Sequence, residues 1–195
     1  MENPITVDWT RHHRIHRAAQ AIARGGVVAY PTESVWGLGC DPRDAGAVDE
    51  ILRLKGRAVA KGLILIAADL DQALPFLGPL AEAERRQLAA PGTRPVTWVV
   101  PASPLAPPWI TGGRATLALR ITRHPLAAAL CAVAGTPLVS TSANPQGRPP
   151  ARNALQVRQY FGDRLADITP GAVGGAAKPS EIRDLRSGEI LRPGD

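Results

Sequence analysis

The chain has few aromatic residues and no long apolar stretch. Aromatic side chains make up only 4% of its 195 residues, so base-stacking surfaces for single-stranded nucleic acid are scarce. The longest apolar stretches, 62–68 and 126–135, fall well short of the roughly 20 residues that cross a bilayer. The polar segment 1–17 lacks the apolar core of a signal peptide. We therefore expect a cytoplasmic protein.

Cysteine is also scarce. The chain has two cysteines, Cys40 and Cys131, and they do not form a C-x-x-C pair. The sequence therefore argues against a cysteine zinc site and against a disulfide framework. Cys131 falls in an apolar helical stretch, which is typical of a small buried side chain. Cys40 ends a glycine-rich segment and could line a site, but no histidine lies near it in the sequence, which disfavours a catalytic thiol.

Several common nucleotide and hydrolase motifs are missing. The phosphate loop G-x-x-x-x-G-K-[ST] and the dinucleotide fingerprint G-x-G-x-x-G are both absent. The G-x-S-x-G motif of many serine hydrolases is absent as well. A nucleotide, if one binds, must be held by a different arrangement, and no serine nucleophile is indicated.

Basic residues outnumber acidic residues, 23 to 17, which gives a net charge of +6. Twenty of the 23 are arginine, a bias that codon composition explains in large part. Guanidinium groups also bind phosphate and carboxylate through a planar fork. The three lysines, Lys55, Lys61 and Lys178, are therefore the more informative positions. The overall charge suits a polyanionic partner such as tRNA or a nucleotide, without identifying it.

Short apolar segments alternate with amphipathic segments along the chain, which predicts an α/β fold. We expect one domain over residues 1–195. Adjacent strands without a helix between them, and a terminal hairpin at 181–191, predict a sheet that mixes parallel and antiparallel strands. In such sheets ligands bind at the carboxyl ends of strands. The predicted helices cover 10–24, 44–55, 70–77, 80–90, 125–134 and 153–161, and the other predicted strands 27–30, 63–67, 96–100, 117–121 and 138–140.

One cluster of basic residues and one isolated arginine stand out. Lys55, Arg57 and Lys61 lie within seven residues, separated by glycine and alanine, between a predicted helix and a predicted strand. They either bind an anion or form a solvated linker. Arg120 lies in an otherwise apolar strand, where a buried guanidinium needs an anionic partner. That partner is either an acidic side chain in a structural salt bridge or an anionic ligand.

Three further segments combine polar residues with glycine. Tyr30–Cys40 follows the first strand, and Ser140–Gly147 follows the strand at 138–140. The hydroxyl and amide groups of Ser140–Gly147 suit hydrogen bonds to phosphate or carboxylate, but they suit a turn or a helix cap equally well. Gly171–Ser180 precedes the terminal hairpin, and its composition is typical of a mobile lid or of a plain linker.

Together these segments resemble the YrdC-like family, including its short bacterial members. The matching stretches are YPTESVWGLGCDP (30–42), LKGRAVAKGLILIAA (54–68), ALRITRHPLAAAL (118–130), TPLVSTSANPQGRPP (136–150) and PSEIRDLRSGEILR (179–192). The resemblance implies a twisted, open mixed sheet flanked by helices, with a basic cavity on one face. It also implies that L-threonine, bicarbonate and ATP are converted to threonylcarbamoyl-adenylate and pyrophosphate.

The resemblance also implies roles for individual residues. Lys55 and Arg57 would stabilise charge during catalysis. The residues implied to hold L-threonine are Thr32, Arg120, Ser140 and Ser180. Those implied to surround ATP are Lys55, Arg57, Lys61, Thr116, Ser142, Asn144, Pro150 and Arg192, with Pro150 acting through its backbone. Mg²⁺ would be bound by the phosphates, so no metal-ligating residues are implied.

The implied partners are the tRNA-modifying proteins TsaD, TsaB and TsaE, which would use the product to modify tRNA beside the anticodon. The chain departs from the family pattern in reading Ala58 for a proline, Ile66 for a histidine of longer relatives, and Arg94 in a segment that usually reads P-G-P-V-T. One alternative is a non-catalytic protein that binds tRNA or double-stranded RNA. Another is a carbamoyl-adenylate enzyme like the related domain of the hydrogenase-maturation carbamoyltransferase.

Overall fold

The computed structural model describes residues 7–92, 94–176 and 179–194. Within them the strands are β1 (Val28–Pro31), β2 (Trp36–Gly39), β3 (Ile64–Ala67), β4 (Val96–Pro101), β5 (Thr116–Ile121), β6 (Leu138–Ser142), β7 (Asp167–Ile168), β8 (Glu181–Asp184) and β9 (Ile190–Arg192). The α-helices are α1 (His13–Ala23), α2 (Ala45–Lys55), α3 (Leu70–Ala73), α4 (Glu82–Ala89), α5 (Pro108–Thr111), α6 (Pro125–Ala134) and α7 (Ala154–Phe161). Short 3₁₀ helices cover Trp9–Arg11, Val59–Lys61, Leu74–Phe76 and Gly162–Arg164.

The described strands form one sheet in the order β7-β1-β2-β6-β3-β5-β4-β8-β9. The pairs β1–β7, β3–β5 and β4–β8 are parallel, and the other five neighbouring pairs are antiparallel. The sheet is therefore mixed, as the sequence predicts. None of the helices in the described ranges has both the length and the apolar content needed to cross a membrane.

Local sequence signals explain where several helices begin and end. The Asp44 carboxylate accepts a hydrogen bond from the backbone N–H of Ala47 at the start of α2, and Gly56 ends this helix with φ of 62°. Asn153 caps α7 in the same way as Asp44 caps α2. The predicted helix at 70–77 is shorter than expected, because the chain passes into a 3₁₀ turn at Pro75.

Strand pairing places alternate residues of neighbouring strands on one face of the sheet. Ser140 pairs with Ile64, which pairs with Ala118, and Ala118 pairs with Val99. Two residues further along β5, Arg120 lies on the same face. Helices α1 and α6 cover only the β1 side of this face, where their apolar residues pack on Val28, Tyr30, Ile66 and Leu138. The remainder of the face is left open.

The opposite face carries the larger core. Apolar side chains of the central strands pack there against residues of α2, α5, α7 and α4. Representative members are Leu38, Leu65, Leu119, Val48, Ile51, Ile110, Phe161 and Leu88. Because helices cover most of the central strands on one face but only part of the other, the less covered face leaves a broad floor on which a ligand site can be built.

Among the described strands and α-helices, three were not predicted from the sequence: β2, α5 and β7. The sequence of β2, Trp-Gly-Leu-Gly, contains two glycines, which are rare in strands. A β-carbon at Gly39 would lie 2.5 Å from the carbonyl oxygen of Val139 and 2.8 Å from the Tyr30 hydroxyl oxygen. The glycine therefore lets Tyr30 lie across β2, a tertiary requirement that strand propensity does not reveal.

Candidate functional site

A cavity of about 560 Å³ opens on the uncovered part of the sheet. It contains ten of the twelve site residues implied by the sequence, and leaves out Lys55 and Asn144. The ten are Thr32, Arg57, Lys61, Thr116, Arg120, Ser140, Ser142, Pro150, Ser180 and Arg192. They come from loops and strands that are far apart in the chain, so the fold brings most of the expected site to one place. Their individual roles stay predictions.

The cavity is strongly basic. Five cationic side chains line it, and none of the lining residues in the described part of the chain is an aspartate or a glutamate. The five are Arg57, Lys61, Arg114, Arg120 and Arg192. In a partly enclosed site such a one-sided distribution attracts and retains a polyanion. The sequence prediction of a basic cavity agrees with this geometry.

Lys55 lies beneath the loop that follows β6, with its side chain buried away from the cavity lining. Its ammonium group donates to the carbonyl oxygens of Ser142 and Asn144, the latter at 3.0 Å. The side-chain oxygens of the same two residues lie at 3.4 and 3.3 Å. Burial, and then the nearby positive charge of Arg57, lower the pKa of Lys55 to about 8. In this geometry Lys55 organises the loop from below.

The loop itself is held by a short hydrogen-bond network. The Ser142 hydroxyl donates to the Asn144 side-chain oxygen at 2.6 Å. The Asn144 amide group donates to the carbonyl oxygens of Arg148 at 2.7 Å and Pro145 at 3.2 Å. Ser142 and Pro150 face the cavity, so the polar cluster after β6 shapes this wall of the site. The polar cluster therefore forms a turn and also supplies Ser142 to the cavity lining. Hydrogen bonds from this cluster to a ligand stay a prediction.

Arg57, Lys61 and Arg114 form the basic end of the cavity. The Arg57 guanidinium donates to the carbonyl oxygen of Gly62 at 2.9 Å, and burial lowers its pKa. Lys61 is exposed at the rim. Arg114, which the sequence analysis missed, donates to the carbonyl oxygens of Ala60 at 2.8 Å and Thr111 at 3.1 Å. A cation beside two glycines just before β5 is the signal that could have revealed it.

Arg120 marks the other end of the cavity. Its side chain is 9% exposed, and its Nη2 atom lies 3.6 Å from Oε2 of Glu33. The structural salt bridge that the sequence left open is therefore present, and Arg120 faces the cavity as well. Thr32, next to Glu33, donates its hydroxyl to the carbonyl oxygen of Val35 at 2.8 Å. Ser140 reaches the same end of the cavity from β6.

The terminal hairpin closes one side of the site. The hydroxyl groups of Ser180 and Thr97 share a hydrogen bond of 2.8 Å between β8 and β4. Arg192 of β9 donates to the carbonyl oxygen of Ser180 at 2.7 Å. Burial, and then the neighbouring charge of Arg120, lower the pKa of Arg192. Glu33 offsets the charge of Arg120, and the added charge of Arg192 leaves this side of the cavity favourable for an anion.

Part of the segment expected to act as a lid or a linker packs beside the cavity without lining it. The backbone N–H of Gly174 donates to Thr32 at 3.0 Å, and that of Ala176 donates to Glu33 at 2.9 Å. His124 Nε2 donates to the carbonyl oxygen of Ala172 at 2.9 Å. Residues 171–176 are thus tied to the turn between β1 and β2. Lys178 lies outside the described residues.

Arg94, whose place the sequence could not give, does not line the basic cavity. It lines a second cavity of about 240 Å³, together with Trp98, Ile121 and Arg123. Ile121 follows Arg120 in β5, and Trp98 pairs with Leu119, which precedes Arg120. Because successive strand residues alternate between faces, Ile121 and Trp98 point to the opposite face of the sheet from Arg120.

The two cysteines are not placed to act as nucleophiles. Cys40 and Cys131 are both buried, and burial raises the pKa of each thiol. A buried thiol of raised pKa is a poor nucleophile, in agreement with the sequence analysis. Across the described ranges no group of three or more His, Cys, Asp or Glu side chains could hold a metal ion.

The sequence matches a known family. The sequence model that covers the Sua5, YciO and YrdC proteins, described as "Telomere recombination", matches residues 20–194. The chain belongs to this family. The resemblance drawn from the five sequence segments is therefore confirmed.

Relatives within this family are similar over nearly the whole chain. A threonylcarbamoyl-AMP synthase of Cellvibrio japonicus is 52% identical, across 96% of this chain and 99% of that protein. Another, of Halorhodospira halophila, is 57% identical across 94% of this chain and 96% of that protein. These relatives are named as enzymes.

A solved structure of the family supports the fold. The structure of P. abyssi Sua5 complexed with L-threonine superposes with a TM-score of 0.84 at 33% identity, over 92% of this chain and 54% of that chain. This chain therefore corresponds to about half of the Sua5 chain. The predicted fold class, an open mixed sheet flanked by helices, is confirmed.

Proposed function

We propose that the chain is a threonylcarbamoyl-AMP synthase, a nucleotidyltransferase that converts L-threonine, bicarbonate and ATP to L-threonylcarbamoyl-adenylate and pyrophosphate. The observation that carries the proposal is the cavity with two distinct ends. Arg57, Lys61 and Arg114 form a basic end suited to a triphosphate, and Arg120 with Thr32 forms an end suited to a small amino acid. The family membership and the names of the relatives support the same assignment.

The reaction needs no covalent intermediate with the protein. The threonine amine combines with bicarbonate, releasing water, to give a carbamate. A carbamate oxygen then attacks the α-phosphorus of ATP, the bond from that phosphorus to the bridging oxygen breaks, and pyrophosphate leaves. Because both reactants are anionic, the protein must hold like charges together and offset the charge that develops at phosphorus.

The residues of the basic end suit the triphosphate. The guanidinium and ammonium groups of Arg57 and Lys61 supply charge and hydrogen-bond donors along the cavity wall. Ser142 and the backbone near Pro150 shape the opposite wall, and Lys55 fixes that wall from below. Thr116 and Arg192 complete the lining. Mg²⁺ would enter with ATP and take its ligands from phosphate oxygens and water, the usual preference of this ion.

The Arg120 end suits the amino acid. The guanidinium can bind the α-carboxylate through two parallel N–H···O bonds. The hydroxyl groups of Thr32, Ser140 and Ser180 are buried around the same end and can pair with the substrate hydroxyl. A site that hydrogen-bonds a substrate hydroxyl rejects analogues that lack it, because its own polar groups are then left unpaired.

The product is a reactive mixed anhydride, so its use must follow soon after its formation. We infer that it is passed to the tRNA-modifying proteins TsaD, TsaB and TsaE, which complete the modification beside the anticodon.

The deciding experiment is pyrophosphate release from ATP and Mg²⁺ in the presence of bicarbonate. We expect release that requires both L-threonine and bicarbonate, with L-valine giving little. The competing function is non-catalytic binding of tRNA or double-stranded RNA, which the net charge of +6 favours. Salt-sensitive RNA binding by a folded protein that releases no pyrophosphate would establish that alternative and overturn the synthase.

A further inference from the structure

Glu33 is a largely buried carboxylate where the turn between β1 and β2 meets the end of β5. Its Oε1 atom accepts hydrogen bonds from the Thr122 hydroxyl at 2.7 Å and from the backbone N–H of Arg123 at 3.0 Å. Its Oε2 atom lies 3.6 Å from Nη2 of Arg120. One carboxylate thus joins the turn between β1 and β2 to the end of β5.

The contact between Glu33 and Arg120 is a charge contact, because 3.6 Å is too long for a hydrogen bond. Oε2 of Glu33 and Nε of Arg120 are both buried, and neither has a hydrogen-bond partner in the described part of the chain. The guanidinium is therefore held in place by the opposite charge. Its N–H groups are not consumed by this partner, so they stay available to a ligand carboxylate.

Backbone hydrogen bonds from residues 174 and 176 hold the turn that carries this carboxylate. Ala176 donates to the carbonyl oxygen of Glu33, and Gly174 donates to that of Thr32. A β-carbon at Gly174 would lie 3.2 Å from Cα of Glu33, so Gly174 packs directly against the turn between β1 and β2. Burial works against the charged carboxylate, but Arg120, the Thr122 hydroxyl and the Arg123 backbone outweigh it and hold the pKa of Glu33 below its usual value.

Glu33 does not line the cavity, whereas Thr32 and Ser34 on either side of it do. We propose that Glu33 is the positioning residue of the amino-acid end: it fixes the Arg120 guanidinium and the turn that carries Thr32 in the geometry that receives the carboxylate and hydroxyl of the amino-acid substrate. This inference rests on the proposed function. The competing expectation is simple charge repulsion, in which Glu33 opposes a substrate carboxylate and its removal tightens binding.

A double-mutant cycle separates these two effects. The wild type, Glu33→Gln, Arg120→Gln and the double variant are compared for L-threonine affinity by calorimetry with a non-hydrolysable ATP analogue present. Glutamine retains an oxygen for Thr122 and Arg123 but removes the charge that holds Arg120. We expect Glu33→Gln to weaken threonine binding at least tenfold and nucleotide binding less than twofold. In the Arg120→Gln background we expect less than a twofold further loss, because the two residues act as one unit.

Unchanged or tighter threonine binding by Glu33→Gln would overturn the inference, and so would equal losses for threonine and nucleotide or independent effects in the cycle. If Glu33→Gln does not fold, Thr122→Val serves instead. It keeps both charges but removes the hydroxyl that donates to Glu33 at 2.7 Å and accepts from the backbone N–H of His124 at 3.3 Å. We expect it to weaken threonine binding about threefold. Glu50→Gln, which breaks the exposed pair with Arg53, is the control and should change neither affinity.

The wild-type arm distinguishes the two proposals. Wild-type protein that neither binds L-threonine nor releases pyrophosphate would contradict the proposed function itself. Wild-type protein that does both, with threonine affinity insensitive to Glu33, would contradict only the positioning role.

Discussion

The Lys55 ammonium donates to the carbonyl oxygen of Asn144 across 3.0 Å, joining the end of α2 to the loop after β6. The same group donates to the carbonyl oxygen of Ser142. The lysine therefore supports the cavity wall through the backbone it holds, while Arg57, two residues later, lines the cavity directly.

This relationship predicts the effect of Lys55→Met. Methionine keeps the length and apolar stem but donates nothing to the two carbonyl oxygens, so the loop loses its support. We expect kcat/KM for ATP to fall by about 100-fold or more, the scale of losing preorganised donors. Circular dichroism should still show a folded protein, since the lost polar contacts cost only about 1–3 kcal/mol. Near-normal turnover in pyrophosphate release would contradict the supporting role.

The lowered pKa of Lys55 predicts a pH dependence with opposite signs for activity and stability. In the folded protein this amine loses its proton as the pH rises past about 8, whereas in the unfolded chain it does so near 10.5. The unfolded state therefore binds more protons between these values, and the contribution of this group to the free energy of unfolding rises with pH. Activity should fall over the same range, because the neutral amine has fewer donors for the loop.

The measurement is kcat/KM for ATP between pH 6.5 and 10, which reports on the free enzyme. We expect a decline with an apparent pKa of about 8, while the thermal midpoint does not fall in step. The Lys55→Arg variant is the control, since guanidinium keeps its proton throughout this range and should remove the decline. A decline that Lys55→Arg leaves in place would assign it to another group.

Arg114 is expected to matter for ATP but not for threonine. It ties the backbone at Ala60 to that at Thr111, and so fixes the loop that bears Lys61. We predict that Arg114→Gln raises the KM for ATP about three- to tenfold, as expected for loss of charge-assisted hydrogen bonds. The KM for L-threonine should change less than twofold. Arg158→Gln, at an exposed position of α7, removes one guanidinium elsewhere and should leave both constants unchanged, as a general charge effect would not.

The sequence predicted those parts of the fold whose signals are local. The helix at 125–134 begins at proline, ends before glycine and was predicted with its observed bounds. The caps Asp44 and Asn153 were likewise predicted. Local periodicity and capping chemistry decide these elements, so no knowledge of the rest of the chain is needed.

What the sequence could not predict depends on contacts between distant segments. It implied the direct neighbours of the substrates, and ten of the twelve lie together on the cavity. It could not show that Lys55 supports the loop from beneath, nor that Glu33 is the acidic partner of Arg120. These contacts follow from the order of strands in the sheet, and the chain separations of 89 and 87 residues give no local signal.

Replacing glycine by alanine should lower the free energy of unfolding at Gly39 and raise it at Gly46, because the two positions are packed differently. A β-carbon at Gly39 would lie 2.5 Å from the carbonyl oxygen of Val139 and 2.8 Å from the Tyr30 hydroxyl oxygen, so the sheet must shift to accept it. At Gly46, in the first turn of α2, the nearest atom would be an Asp44 carboxylate oxygen at 3.4 Å. Gly39→Ala should therefore cost about 1–3 kcal/mol through overpacking. Gly46→Ala should raise the free energy of unfolding by on the order of 0.5 kcal/mol, because alanine favours the helix.

Urea denaturation of both variants measures this difference directly. Gly39→Ala should lower the midpoint and Gly46→Ala should raise it slightly, with the slope unchanged in both. Because β2 pairs with β6 through Gly37 and Ser142, a shift of β2 also moves the cavity floor. Gly39→Ala should therefore lower pyrophosphate release even at temperatures where the protein remains folded, whereas Gly46→Ala should not. Equal stability of the two variants would show that the sheet accommodates a methyl group at this position, against the close approach of Tyr30 to β2.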